Sequence, residues 1–382
     1  MSLFLLTFFL VYGGTHAYAL SKAQTAFGLG WKALLAAAPV LAALLFGPLI
    51  VYFLSVRGME GAARWVSWIA YIWMGLLFFF TWTNLALDGV NLAARAATAV
   101  FGRTTRGLIV YGRPAFLSLA ALSVILGGYS FLEASRLRTE HLRIVTEKLP
   151  PGTQRIRIAQ ISDVHLGLMV RHRRARAIAE AVRNANPDLV VSTGDLVDGR
   201  INHLDGLSEI LRDIPAPLGK YAVTGNHEFY AGIGPSLDFT RRAGFTILRG
   251  QDASVGDALR LVGVDDPTAG SFGQDAGRPE GELMGNGPSP RFTLLLKHRP
   301  VLSPAARTAA DLQLSGHTHN GQIFPFRLLV RFYYPLLSGL YEPKGGGALY
   351  TSRGTGTWGP PMRFLAPPEV TIIDIERPPG RL

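Results

Sequence analysis

The sequence predicts an α/β protein: about four transmembrane helices first, then one domain in which short strands alternate with helices. Three observations predict it. Long apolar runs without Lys, Arg, Asp or Glu crowd before about residue 132. From Arg155 onward, short β-rich runs alternate with helical ones. Five short motifs of His, Asp and Asn each follow a β-rich run. The expected division is 1–132 as a transmembrane region, 133–154 as a linker and 155–382 as the α/β domain.

The apolar stretches run from Met1 to about Leu20, Ala33 to Val56, Trp65 to Leu87, and about Pro114 to Leu132. Each is close to the ~20 residues that cross a ~30 Å hydrocarbon core. Four in succession argue against buried helices of a soluble bundle. The first lacks a basic leading region and has further spans behind it, which favours an uncleaved helix over a signal peptide. In the third, Trp65, Trp68, Trp73 and Trp82 include residues near both ends, as interfacial anchors do.

Loop charge sets the expected orientation. Lys22 and Lys32 precede the second span, and Arg95, Arg103, Arg106 and Arg113 face one acid, Asp88, in the loop after the third. The loop between spans two and three holds Arg57 and Arg64 with Glu60. The positive-inside rule places the two more basic loops in the cytoplasm, and the N-terminus and everything after Leu132 outside it. The expected localisation is multi-pass, with the α/β domain extracytoplasmic.

Composition agrees with this class. Hydrophobic residues make up 48% and charged residues 17%, against roughly 25% charged in globular domains. The net charge is +11; residues 1–132 hold eight basic and two acidic residues, or +6, leaving +5 (11 − 6) for the rest. Basicity beyond the loops fits an anionic substrate or an anionic lipid surface. No basic-aromatic nucleic-acid module is visible, so no nucleic-acid partner is expected. The chain has no cysteine, which excludes disulfides, thiolate metal sites and Cys nucleophiles. Any metal must sit among oxygen and nitrogen donors.

In the α/β part, Arg155–Ile161 reads as a strand with one polar and one apolar face, and residues 172–184 as a helix. Leu189–Thr193, Lys220–Thr224 and Phe292–Leu296 are short β-rich runs. Asp266–Pro290, rich in Gly and Pro, reads as a loop or insertion. Residues 323–341 (IFPFRLLVRFYYPLLSGLY) read as an apolar lid or core strand, with a membrane-dipping or acyl-chain-binding surface as the alternative.

The motifs are Asp163-Val164-His165, Gly194-Asp195-Leu196-Val197-Asp198, Gly225-Asn226-His227-Glu228, Lys297-His298 and Gly316-His317-Thr318-His319. Ligand groups gather where strands of open α/β sheets end, so five such ends deliver these side chains to one place. A pair of divalent ions needs a carboxylate able to reach both, with neutral imidazoles and oxygen donors completing each shell. The glycines before Asp195, Asn226 and His317 permit tight turns beside such a site. Singly, Asp163, Asp195 and Asn226 are commonest as turn or cap residues, and a lone His298 after a strand is usually structural. Their joint order is what carries the metal-site reading.

The order DxH, GDxxD, GNHE, a lone His, then GHxH resembles the calcineurin-like metallophosphoesterases over about Arg155 to Ile375. The tail 349–354 (LYTSRG) and Met362-Arg363-Phe364 resemble the membrane-associated bacterial branch of that family. The resemblance implies two packed mixed sheets flanked by helices. It implies Asp163, His165 and His319 on a first metal, Asn226, His298 and His317 on a second, and Asp195 bridging them. His227 would face the leaving oxygen without holding a metal, oriented by Asp198. The metals implied are two divalent ions, manganese, iron or zinc. The family often has Arg directly after the second Asp of GDxxD, where this chain has Gly199 and then Arg200. The phosphate contact is therefore expected from Arg200, Arg353 or the basic run Arg171–Arg174, whose plainer reading is a solvated helix face.

The expected function is metal-dependent hydrolysis of a phosphoester or pyrophosphate bond at a membrane surface. A lipid or nucleotide-linked lipid is the candidate substrate. A nuclease or nucleotide phosphodiesterase on the same fold would favour a basic and aromatic groove, and membrane anchoring argues against it. A transporter or sensor would place ionisable groups inside its spans, and these four runs hold no Lys, Arg, Asp or Glu.

Overall fold

The structure, a computed structural model, describes residues 3–101, 109–199, 204, 206–285 and 287–379. It divides into two compact units: Met1–Leu132 with Gly359–Met362, and Glu133–Trp358 with Arg363–Leu382.

The first unit is helical. Its helices are α1 (Leu3–Phe27), α2 (Trp31–Leu45), α3 (Gly47–Val56), α4 (Glu60–Phe101) and α5 (Gly112–Ser135, whose last turn enters the second unit). By length and composition α4 and α5 can each cross a membrane, and α2 with α3 adds a third span if the pair, bent by 53°, counts as one. Among the described residues the count is thus two to three, where four spans were expected. The second expected span breaks between Leu45 and Gly47. Pro48 sits in the first turn of α3, where it lacks the N–H that would continue α2. The first expected span forms α1, which enters the description only at Leu3. The loop expected from Asp88 is helical to Phe101, because α4 runs for 42 residues. Asp88 is held there by Tyr18 at 2.6 Å and Lys22 at 2.5 Å.

The second unit is a four-layer α/β/β/α sandwich. Its first sheet has the order β1 (Arg138–Val145), β12 (Glu369–Glu376), β2 (Arg155–Ile161), β3 (Leu189–Ser192), β4 (Lys220–Ala222), β5 (Thr246–Ile247). Here β2 to β5 are parallel, and β12 runs antiparallel to β2 and parallel to β1. The second sheet has the order β10 (Gly339–Tyr341), β11 (Ala348–Thr351), β9 (Leu312–Ser315), β8 (Phe292–Leu296), β7 (Leu259–Gly263), β6 (Gln251–Val255). Its four central strands are parallel, with β10 and β6 antiparallel at the edges.

The inner faces meet in a core that joins Ile156, Ile158, Leu189 and Val191 of one sheet to Leu261, Phe292, Leu294 and Leu314 of the other. The outer face of the first sheet packs on α6 (His172–Ala185), α7 (Leu207–Arg212) and α9 (Ile233–Arg242). In α6, Ala175, Ile178, Ala179 and Val182 recur on one helical face and are buried, which leaves most of its arginines outward. The outer face of the second sheet packs on α11 (Glu280–Met284) and α12 (Pro304–Ala309). Two short helices complete the unit ahead of the last apolar segment: α8 (Asn226–Ala231) and α10 (Thr268–Ser271).

Three expectations change here. The residues expected as a linker, 133–154, include β1, which pairs with β12 along its full length. Strand β2 keeps a solvated face only at its start, where Arg155 is exposed and Arg157 half-buried; beyond them Ile156 and Ile158 enter the inter-sheet core while Ala159 and Ile161 enter the outer one. Parallel strands covered on both sides lose the polar alternation of an exposed sheet. The expected loop 266–290 contains α10 and α11.

Candidate metal centre

Strands β2, β3, β4, β8 and β9 each end one to three residues before one of the five motifs. Because these strands run parallel within their sheets, the motif loops leave from the same edge, and packing of the two sheets brings the loops together. The seven residues expected as ligands converge there, and all are buried or nearly so. Asp163, His165 and His319 offer ligand atoms within 4.8 Å of one another, and so do Asp195, His298 and His317. A third such set, His165, Asp195 and His227, overlaps both.

The contacts among these groups are of a kind that favours cations. Nε2 of His165 and Nε2 of His319 face each other at 3.0 Å, and Nε2 of His319 lies 3.4 Å from the Asp163 carboxylate. Nε2 of His298 lies 3.0 Å from Nδ1 of His317, 3.2 Å from the Asn226 amide oxygen and 3.2 Å from Oδ2 of Asp195. The same Oδ2 is 3.8 Å from Nε2 of His165, so Asp195 stands between the two groups. Facing ring nitrogens present lone pairs with at most one proton between them, an arrangement that a divalent ion satisfies. On His298, Nδ1 donates to the Thr193 carbonyl at 2.8 Å, so Nε2 faces the site. Burial opposes a proton there, but Asp195 and Asp163 lift the ring to about 10, and a divalent ion bound at Nε2 would take that proton's place. The donor set therefore fits divalent metals bound through oxygen and nitrogen.

Charge follows burial. Burial lowers His165 to about 4 and His317 to about 3, and holds His319 well below its ordinary range, so all three rings are neutral at pH 7. Burial raises Asp163 to about 6. Burial would also raise Asp195, but His298 and His227 outweigh it and hold its carboxyl well below the usual range. Burial opposes a proton on His227, while Asp195 and Asp198 lift it to about 9. Nδ1 of His227 sits 2.8 Å from Asp198. The His227 ring is flanked by Tyr230, Trp358 and His165, at centroid distances of 5.4, 5.7 and 4.5 Å.

The backbone around the site is unusual. Asp163, His165, Asp195, His317 and His319 all have φ between 49° and 71°, the left-handed region that non-glycine residues rarely adopt. Gly225 and Gly316 serve by close approach instead. A Cβ on Gly225 would collide with the Asp195 carboxylate, and one on Gly316 with Ser162 and the Asp163 carboxylate.

The expected phosphate contacts fare differently. Arg353 directs its guanidinium to Glu369 at 2.6 Å, to Glu140 and to the Pro367 carbonyl, so carboxylates and a carbonyl take up its donors. Arg200 lies outside the described residues. In the basic run, Arg174 turns inward and donates to the Ala134 carbonyl.

Three residues had no assigned role in the sequence reading and matter here. Glu228 accepts from the backbone N–H of Asp195 and Gly225 at 3.0 and 2.7 Å and of Leu196 at 2.7 Å, tying two motif loops together. Arg363, fully buried, donates to the carbonyls of His319, Arg353 and Gly356, and its Nη2 lies 3.0 Å from Nδ1 of His319. The Tyr334 hydroxyl lies 3.1 Å from Nε2 of His317. Glu228 and Arg363 stand inside quoted motifs, but only the folded chain shows what they hold. Tyr334, fifteen residues beyond His319, carried no signal.

Comparison with known proteins places the chain in a family. A family model described as calcineurin-like phosphoesterase matches residues 156–321. An uncharacterised metallophosphoesterase of Aquifex aeolicus is 42% identical over 256 residues, 67% of this chain and 98% of that protein. One from Helicobacter pylori is 32% identical over 82% of this chain and 81% of its own. A transmembrane protein with metallophosphoesterase domain from Danio rerio is 29% identical over 82% of this chain and 74% of its own. With the motif order, the sandwich and these relatives in agreement, the chain belongs to the calcineurin-like metallophosphoesterase family and is a phosphoesterase hydrolase.

Proposed function

We propose that this chain is a membrane-anchored phosphoesterase that works with two divalent metal ions. Asp163, His165 and His319 hold one ion, and Asn226, His298 and His317 the other. The observation that carries the reading is Asp195, whose single oxygen stands between the His165 and His298 nitrogens of the two donor groups. When bound, such a pair, of manganese, iron or zinc, polarises the phosphoryl oxygens and lowers the pKa of water.

The chain's own residues do the rest. The Thr193 carbonyl fixes the His298 tautomer so that Nε2 faces the site. Arg363 braces the His319 loop through its carbonyl. Asp198 accepts from Nδ1–H of His227, which leaves Nε2–H of the charged ring to protonate the leaving oxygen. Glu228 fixes the loops that carry Asp195 and Asn226. Tyr230 and Trp358 flank His227, so the leaving group meets rings on that side.

The substrate carries a phosphoester or pyrophosphate, in a lipid or nucleotide-linked lipid, and the domain faces away from the cytoplasm. The membrane helices, the basic loops and the relatives named as transmembrane proteins support this setting. The test measures metal content and turnover of the purified full chain against phosphomonoesters, phosphodiesters and lipid pyrophosphates. Asp195→Asn should lower metal occupancy and cut turnover by orders of magnitude. Full metal content in that variant would remove the bridging role.

A further inference from the structure

The segment between Asn320 and Tyr334 does not behave as the rest of the domain does. It leaves the site directly after His319 and returns to it where the Tyr334 hydroxyl meets His317. Its foot is fixed by paired backbone hydrogen bonds, Phe324 N–H to the Phe364 carbonyl and Phe364 N–H to the Gln322 carbonyl. Between these anchors lies α13 (Arg327–Tyr333), in which no residue is buried. Phe324, Phe326, Leu328 and Leu329 are exposed, and Phe332 and Tyr333 are 84% and 78% exposed. None of them belongs to a hydrophobic core of the domain.

So much apolar surface on one short excursion marks a contact surface. Its charge says with what. From Gln322 to Tyr341 the chain has two arginines, Arg327 and Arg331, and no acid. Among the described residues no ion pair involves either arginine, whereas Arg157, Arg299 and Arg353 each meet a carboxylate. Exposed aromatics and leucines with unpaired basic residues are the composition of an interfacial membrane element, which favours anionic headgroups. Chain length puts a bilayer within reach: only Arg136 and Leu137 separate α5, itself apolar enough to span, from β1. Two residues reach at most about 7 Å.

We infer that α13 inserts into an anionic lipid surface and thereby holds the rim of the metal centre at headgroup level. This rests on the membrane-anchored part of the proposed function and not on its chemistry. The inserted element has one foot on His319 and the other on His317, so a phosphorylated headgroup would reach the site without its lipid leaving the bilayer.

The chain has no cysteine, so single labelling sites are available in the full-length protein. Nitroxides at Leu329→Cys and Phe332→Cys would be compared, in vesicles of phosphatidylglycerol and phosphatidylcholine, with one at Asp257→Cys. Asp257 lies in the turn at the far end of β7 from the metal centre. Labels at 329 and 332 should sit about 5–10 Å below the headgroup boundary, reached by oxygen and shielded from a soluble nickel chelate. The label at 257 should remain open to the chelate. Arg327→Gln and Arg331→Gln should each lower the docked-to-free ratio roughly fivefold in anionic vesicles, with little effect in neutral ones. Free access of the chelate to both 329 and 332 in anionic vesicles would overturn the inference. So would dipolar coupling between labels on two chains, which would mean that a second copy covers the patch. Either result leaves the metal assignment standing, because depth is read without turnover.

Discussion

Five of the seven candidate ligands sit in left-handed backbone, a conformation that costs of order 1–3 kcal/mol for each non-glycine residue. The surroundings must hold them there, and the hydrogen bonds from His317 N–H to the Asp163 carboxylate at 3.0 and 3.1 Å are part of that hold. Gly316→Ala would push a methyl group into Ser162 and the same carboxylate. It should lower stability by about 1–3 kcal/mol and weaken metal binding, seen as a lower melting temperature and a metal content below that of the parent. His227 makes a second prediction. Its folded pKa, about 9 against an ordinary 6.5, means that the acid form is present at neutral pH and lost as pH rises. Bound cations oppose the proton, so the loss should fall below pH 9 in the metal-loaded enzyme. Alkyl phosphoester turnover should therefore decline on the alkaline side and nitrophenyl phosphoester turnover much less. His227→Ala should lose about 10²–10⁴-fold for alkyl leaving groups and keep its metals. Equal losses for both substrates, or a missing metal, would count against the acid role.

At the level of elements, the centre is made by parallel strands ending at one edge and by the few contacts that fix the loops between them. Glu228 is the clearest such contact. It stands in the first turn of α8, three residues after Gly225, and accepts from the N–H groups of Gly225, Asp195, Leu196 and Val197. Burial raises its pKa to about 7, with Asp195 adding to the effect, while the donated hydrogen bonds oppose it. Glu228→Ala would leave several buried N–H groups without an acceptor, at about 1–3 kcal/mol each. Thermal unfolding of the full chain should show that loss, and metal affinity should fall although no expected ligand is altered. Glu228→Gln, which keeps one acceptor oxygen, should recover part of both. An alanine variant with parental stability and metal content would show that the loops hold without it.

Across the whole molecule, loop charge predicts on which side the domain works. Lys22 near the end of α1 and Lys32 at the start of α2, with Arg95 and Arg113 near the facing ends of α4 and α5, outweigh Arg57 and Arg64 with Glu60 at the connection of α3 to α4. A phosphatase reporter fused after Leu382, active only outside the cytoplasm, should therefore be active. Signal only from a cytoplasm-specific reporter would reverse the orientation. The prediction takes α2 with α3 as one crossing, which puts the Lys22–Lys32 and Arg95–Arg113 segments on the same side.

What the sequence determined by itself was chemistry and order. Asp163, His165, Asp195, Asn226, His298, His317 and His319 were legible as a candidate set that would meet, because each motif follows a β-rich run and strand ends in an α/β sheet share an edge. The apolar helices were legible from length and the lack of charge. Tertiary structure decided what depends on neighbours distant in sequence. Residues 138–145 become a sheet edge because β12, more than two hundred residues later, lies beside them. Arg353 turns to Glu369 and Glu140, while Arg363 is drawn under His319. Residues 323–341 read first as a lid or core strand, with a membrane-dipping surface as the alternative; in the fold 339–341 joins the second sheet as β10, while α13 is left unburied. Local pattern sets which side chains are present and how they repeat along the chain. Partner choice and burial are set by long-range packing, which no window of sequence contains.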